Sequence, residues 1–250
     1  MSETHDATAP ASRHLNWDGC FNVRDLGGFR TRDGGRTRWG AVVRSDTPDR
    51  LSDAGWRALR LHGVRTIVDL RDDREREQMT ESQGVELASV HVPVLDLDDA
   101  DFWERWRGVH DPAGFYLAVL ERWPQGFAAA CRAVAEAPPG GVLVHCQVGR
   151  DRTGLLAALL LSLVGVPADD VADDYALSGD RLRPLYDRWL QAAGDESTRE
   201  RLARENACDR TAILAVLERL DVDAYVRRGG FAERHAATLQ ARLVERAAPR

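Results

Sequence analysis

Ten consecutive residues carry the groups best suited to chemistry: His145, Cys146, Gln147, Val148, Gly149, Arg150, Asp151, Arg152, Thr153 and Gly154. Five residues separate Cys146 from Arg152. The apolar run Val142-Leu143-Val144 precedes them, and a second apolar run, Leu155 to Val164, follows at once. This pattern predicts a buried strand, a tight loop and a buried helix. A loop of that kind points several backbone N–H groups at one spot, beside the positive end of a helix dipole, and so forms an anion site. A guanidinium and a helix N-terminus both favour thiolate over thiol, so a cysteine placed there is primed as a nucleophile. The same features attract a phosphate dianion, and the planar fork of Arg152 can hold two of its oxygens. A sulfur beneath a bound phosphorus atom is the arrangement for phosphoryl transfer through a phosphocysteine.

This stretch resembles the signature of the cysteine-dependent protein tyrosine phosphatases. With Asp151 inside the loop it is most similar to the bacterial tyrosine/serine phosphatase subgroup. Further upstream, Asn22-Val23-Arg24-Asp25-Leu26-Gly27-Gly28 and Arg44-Ser45 resemble the N-terminal part of the same subgroup. The likeness extends unevenly from about Phe21 to about Val244, and it is specific at Asn22 to Gly28 and at His145 to Gly154. It implies an α/β fold: a mostly parallel four- or five-stranded sheet flanked by helices, with a helical C-terminal half forming a lid. It also implies hydrolysis of phosphomonoesters in two steps without a cofactor. No His/Asp/Glu cluster stands at metal-ligand spacing, so no metal is expected. The expected substrate is a phosphorylated protein or a phosphoinositide.

Each site residue then has an expected role. Cys146 is the nucleophile. Arg152 clamps the phosphate and stabilises charge as it develops. The N–H groups of Gln147, Val148, Gly149, Arg150, Asp151 and Arg152 complete the cradle, with Gly149 free to adopt positive φ. Thr153 either donates to the departing sulfur or caps the helix, and His145 orients the loop. The leaving oxygen needs a proton from a group within hydrogen-bond reach. The larger tyrosine phosphatase families use an Asp in a Trp-Pro-Asp pattern, which is absent here. Asp151 is the preferred acid by resemblance, and Asp96, Asp98 and Asp111 are alternatives. Arg150 stands where the subgroup often has Lys; with Arg152 it could favour substrates that carry several phosphates.

The remaining elements must position this loop. With 250 residues, 44% of them hydrophobic, the chain can bury about 70–75% of its unfolded surface. A single phosphatase domain is expected over residues 14–250, after a disordered tail over 1–13. The net charge of −6 argues against nucleic-acid partners, and every basic residue other than histidine is arginine. No apolar stretch is long enough to span a bilayer and no secretory leader is evident, so a cytoplasmic location is expected. Four cysteines are too sparse for a disulfide framework. Cys131 falls on the apolar face of a helix and belongs to the core.

Strands are predicted near Phe29–Thr31, Thr37–Trp39, Ala41–Arg44, Val64–Leu70 and Val90–Val94. Ser52 caps a helix over Asp53–His62, and a charged helical stretch covers Asp73–Met79. Arg24 and Asp25 are either a buried ion pair or part of the site rim. Asp69 and Arg71, at a strand end, either face the phosphate or anchor the next helix. The acidic run Asp96 to Asp101 reads as a solvated turn. Prolines open helices at Pro112–Leu120 and Pro124–Ala137. Beyond Pro167 come Ala168–Ser178, Arg181–Ala192, Thr198–Ala207, Asp209–Leu220, Asp223–Arg228 and Ala232–Val244. The lid region is placed at about 168–206, with the polar segment Gly194 to Asn206 as its mobile part. Two rival readings are a rhodanese-type sulfurtransferase, whose loop lacks the Arg-Thr-Gly ending, and a silent phosphoprotein-binding module, which usually lacks the Cys or the Arg.

Overall fold

The computed structural model describes residues 12–77, 87–205 and 210–246. Most of the expected tail, Met79, Asn206, Ala207, Cys208 and Asp209 lie outside the described residues. In chain order the elements are β1 (Arg24–Asp25), β2 (Arg36–Thr37), β3 (Val42–Ser45), α1 (Asp53–Leu61), β4 (Val64–Asp69), α2 (Asp73–Glu77), β5 (Ala88–His91), α3 (Ala100–Trp106), α4 (Pro112–Arg122), α5 (Pro124–Glu136), β6 (Gly141–His145), α6 (Asp151–Leu163), α7 (Ala168–Ala192), α8 (Glu196–Glu205), α9 (Arg210–Arg219), α10 (Val222–Arg228), α11 (Glu233–Leu243) and β7 (Val244–Glu245). Among the described residues no helix is long and apolar enough to cross a membrane.

The main sheet has five strands in the order β1-β3-β6-β4-β5. Only β1 runs antiparallel to its neighbour; the other pairings are parallel. The α/β, mostly parallel expectation is met. β6 is central and every one of its residues is buried, which is why it reads as an unbroken apolar run. Alternation sorts its neighbours to two faces. Val42, Val142 and Val144 join the larger core with α4, α5, α6, α9, α10 and α11. Val43 and Leu143 join a smaller one with Trp17, Trp56 and Leu59 beneath α1. Leu143 is fully buried, so truncation to Ala would cost about 2–5 kcal/mol.

The register brings three strand ends level: Ser45 and Asp69 both lie opposite His145. The loops that follow β3, β4 and β6 therefore meet at one edge, the place where open α/β sheets bind ligands. Ser52 caps α1 as expected, accepting from the N–H of Gly55 at 3.2 Å.

Several local expectations change. The acidic run is more than a turn, because Asp99 caps α3 through the N–H of Phe102 at 3.1 Å. The predicted Val90–Val94 strand sits earlier, as β5, paired with β4 from Ala88 to His91. The strand near Thr37 pairs chiefly with the C-terminus, where β2 meets β7. Arg13, assigned to the expected tail, is joined to β1: its carbonyl accepts from the N–H of Asp25 at 2.9 Å. The two helices expected around Arg181 are one, α7, which runs through an internal Pro184. Its first part is buried at Val171, Ala172, Asp174, Tyr175 and Ser178, and packing there offsets the hydrogen bond that Pro184 removes.

Candidate active site

Cys146 leaves β6 at the level sheet edge and is 2% exposed. The loop after it is shaped from outside, by donors that take its carbonyl oxygens. The Gln147 carbonyl accepts from the N–H of Thr47 at 3.1 Å. The Asn22 amide donates to the carbonyls of Val148 at 3.1 Å and Gly149 at 3.0 Å. Arg44 donates to the carbonyl of Gly149 at 2.8 Å and to that of Arg150 at 3.3 Å. A planar trans peptide holds its N–H opposite its carbonyl. Turning the carbonyls outward therefore leaves the N–H groups to face the interior of the loop, at the N-terminus of α6.

Gly149 has φ +68°, and a Cβ built there would lie 2.3 Å from the carbonyl oxygen of Ser45. Sterics and backbone conformation both demand glycine.

The outer braces rest on a buried charge cluster. Asp174 of α7 pairs with Arg24 at 3.0 Å and with Arg44 at 2.8 Å, all three side chains at most 1% exposed. Arg24 also donates to Asn22 Oδ1 at 2.6 Å and to Ser178 Oγ at 2.9 Å. Burial works against the charge of Asp174, but the two guanidinium groups outweigh it and hold the carboxyl below its ordinary range. Arg24 and Asp25 are thus not partners. They point to opposite faces of β1, and Asp25 instead meets His62 at 2.7 Å and accepts from the N–H groups of Gly27 and Gly40.

Asp69 and Arg71 form the second support. Arg71 bonds to Asp69 at 2.8 Å, to Asp49 at 2.7 Å and to Thr47 at 3.1 Å. Thr47 is the residue whose N–H holds Gln147, so this pair fixes one side of the loop. His145 is buried; its Nδ1 lies 3.1 Å from the Cys146 carbonyl, and its Nε2 lies 3.8 Å from Asp69. Burial lowers the imidazole pKa, more than Asp69 raises it. The ring is thus bonded to the loop backbone at the residue before the loop turns.

Facing the interior, Arg152 is the second residue of α6. Its Nη2 donates to Glu75 Oε1 at 2.7 Å, and its Nη1 donates to Oε2. Two of the five guanidinium donors are engaged, so three remain for a ligand. Burial opposes its charge; the Cys146 sulfur and the Glu75 carboxylate outweigh burial and hold Arg152 protonated. Thr153 is fully buried, and its hydroxyl has no hydrogen-bond partner among the described residues.

Asp151 is held by two groups. Arg150 approaches both of its carboxylate oxygens, Nε to Oδ1 at 3.0 Å and Nη2 to Oδ2 at 3.0 Å. The Tyr116 hydroxyl donates to Oδ1 and is itself 2.6 Å from the hydroxyl of Tyr175. Burial would raise the Asp151 pKa; Arg150, Tyr116 and Arg152 outweigh it and hold the carboxyl below its ordinary range. Arg150 also reaches the Tyr186 hydroxyl at 3.1 Å. The alternative acids have other tasks: Asp111 caps α4 through Gly114 at 2.9 Å, Asp98 pairs with Arg74, and Asp96 accepts from the N–H of Asp98 at 2.8 Å.

Sequence reasoning missed Glu75, Tyr116, Asp174 and Tyr175 as parts of this site. No local pattern marks them, because they arrive from three helices, α2, α4 and α7, distant in sequence from the loop. Asn22 and Arg44 stood in quoted motifs, but their spacing to the loop gave no hint of their roles.

A family model described as the tyrosine phosphatase family matches residues 15–245. The chain is 34% identical over 182 residues to a putative tyrosine-protein phosphatase of Cupriavidus necator, covering 70% of this chain and 67% of that one. It is 30% identical over 199 residues to the triple specificity protein phosphatase PtpB of Mycobacterium tuberculosis, covering 68% and 71%. A tyrosine-protein phosphatase of Nostoc commune is 28% identical over 217 residues, covering 81% and 74%. With the match spanning nearly the whole chain, and with the Cys146-to-Arg152 loop braced at its centre, this chain belongs to the tyrosine phosphatase family.

Proposed function

We propose that the chain is a protein-tyrosine or tyrosine/serine phosphatase working through a phosphocysteine on Cys146. One observation carries this reading: the carbonyls of Gln147 to Arg150 are all taken from outside the loop, which leaves inward amides around a buried cysteine. A phosphate dianion seated there meets the amides, the free donors of Arg152 and the α6 N-terminus. The Cys146 sulfur attacks phosphorus as the bond to the leaving oxygen breaks, and Asp151 gives that oxygen its proton. Water then attacks phosphorus with the Asp151 carboxylate as base, the P–S bond breaks, and inorganic phosphate leaves. Thr153 donates to the departing sulfur with the hydroxyl that the fold leaves without a partner.

Arg150, Tyr116 and Arg152 favour the ionised form of Asp151. A bound dianion beside it works in the opposite direction and raises its pKa, which is what a proton donor needs. Residues 14–250 act as one phosphatase domain in this reading. The lid region expected at about 168–206 narrows in this reading to residues 180–205, since Asp174 locks the first part of α7 to Arg24 and Arg44. A phosphorylated protein is the substrate. A phosphoinositide is the second reading. It rested on Arg150 as a receptor for an additional phosphate, and the engagement of Arg150 with Asp151 and Tyr186 counts against it.

Phosphate release from p-nitrophenyl phosphate tests the reading, with Cys146→Ser as control. Turnover by the native chain that disappears in the variant is the expected result. Equal rates in both, or none in the native chain, would sink it.

A further inference from the structure

Beside the loop lies an open cavity of about 650 Å³ that the mechanism does not use. Arg50 and Arg188 line it, together with Trp17, Asp18 and Phe21. It borders the cradle closely. Phe21 and Val148 both pack on Leu182, Leu185 and Tyr186, and Asn22, the next residue after Phe21, holds the carbonyls of Val148 and Gly149. Arg188 lies over the Phe21 ring, 5.4 Å from its centroid. Its guanidinium is exposed, and no carboxylate stands within ion-pair reach of it among the described residues. Arg50 donates one N–H to the buried Asp46 at 2.9 Å, and its side chain remains 35% exposed. Two guanidinium groups from different elements thus border one cavity, with an aromatic ring between backbone and solvent.

We propose that this cavity is an accessory subsite for an acidic side chain flanking the phosphorylated residue of a peptide substrate, with Arg188 as its main ligand. The proposal rests on the phosphoprotein-phosphatase reading above. At about 650 Å³ the cavity falls within the roughly 300–1,000 Å³ range of ligand-binding pockets, room enough for an acidic side chain together with the peptide backbone that carries it. The exposed Asp18 carboxylate on the rim repels a second phosphate dianion more than it repels a singly charged carboxylate between two guanidinium groups. That favours an acidic peptide over a polyphosphorylated lipid headgroup. Arg188 is the residue to change, because Arg50 also holds Asp46, which in turn accepts from the N–H groups of Phe21 and Asn22.

The experiment compares kcat/KM for two phosphotyrosyl peptides, one flanked on both sides by Glu and one by Gln, in the native chain and in Arg188→Glu. p-Nitrophenyl phosphate and a short-chain bisphosphorylated phosphoinositide serve as further substrates. The native chain is expected to prefer the Glu peptide by roughly three- to fivefold, a preference that shrinks as salt rises. Arg188→Glu is expected to abolish or invert it through KM, with p-nitrophenyl phosphate turnover unchanged. An equal Glu-to-Gln ratio in both proteins, or no preference in the native chain, overturns the subsite while leaving the phosphatase reading intact. Loss of phosphoinositide turnover in Arg188→Glu with an unaltered peptide ratio reassigns the cavity to a lipid headgroup and also overturns the proposal. Absence of p-nitrophenyl phosphate turnover in the native chain is instead a failure of the underlying reading.

Discussion

The back and the front of the Cys146 loop are built on different terms. Behind it, Asn22, Arg24, Arg44 and Asp174 are at most 1% exposed, and every one of them is bonded to the loop or to another member. In front, Glu75, Arg150, Asp151 and Arg152 keep 12–32% of their side chains exposed. The back is a charge cage whose members have no freedom, so it fixes where the loop carbonyls go. The front holds groups paired with one another, which a ligand can rearrange. Buried ionic networks tolerate no missing partner, whereas half-exposed pairs can be exchanged at small cost. Geometry and reactivity are thereby assigned to opposite sides of one short turn.

That division can be broken most sharply at Cys146. Replacement by Ser should reduce turnover by at least about 10³-fold and leave the denaturant midpoint within experimental error of the native chain; a large drop in stability would place the sulfur in the structural half.

Asp151→Asn comes next, with an expected loss of about 10²–10⁴-fold for poor leaving groups. The loss should shrink for acidic ones such as p-nitrophenolate. A plot of log rate against leaving-group pKa reads this directly, and a uniform loss would move Asp151 from proton donor to structural support.

At the back, Asp174→Ala leaves Arg24 and Arg44 buried without a counter-charge. The expected destabilisation is about 3–5 kcal/mol, read by urea unfolding, with activity falling in parallel. An unchanged midpoint would mean that the cage is dispensable.

A smaller effect is expected from acid. The Asp69 carboxyl loses from burial, gains more from Arg71 and His145, and ends with a pKa of about 2, below the unfolded value of about 3.9. Its contribution is full above about pH 4 and is lost as pH falls toward 2, about 2–3 kcal/mol in all. Unfolding at pH 5 and pH 3 should show that slope, and Asp69→Asn should flatten it.

Smallest is Glu75→Gln, which keeps the hydrogen-bonding shape beside Arg152 and removes the charge. Roughly a tenfold fall in kcat/KM with unchanged stability is expected; a change in stability equal to that of Asp174→Ala would erase the distinction between front and back.

The front was largely legible in the sequence, because its chemistry is local. Cys146, Gly149, Asp151 and Arg152 follow each other on one turn between two apolar runs, and their types state the reaction. The central sheet was legible for the same reason, since Gly141–His145 is buried throughout and reads as an apolar run, and Val64–Asp69 is buried at every residue but Arg65 and Ile67. The back was not legible. Asp174 is one acid among many on α7, and nothing in its spacing shows that it lies between Arg24 and Arg44. Tyr116 and Glu75 reach the site from α4 and α2, elements set by packing far from the motif. The single α7 was missed because the two predicted helices stop and restart on either side of Gly179-Asp180, whereas buried contacts at Ser178, Leu182, Leu185 and Tyr186 carry the helix across that gap and on through Pro184.

That proline divides α7 into unlike parts. Upstream, the helix is clamped by the ion pairs of Asp174; downstream, it presents Arg188 beside the cleft. With one rung of the hydrogen-bond ladder missing between them, drift at the exposed positions beyond Tyr186, which itself bonds Arg150 of the loop, is separated from the clamp. Substrate preference in this chain is therefore free to evolve at the outer end of the helix while the turn that performs the chemistry keeps its shape.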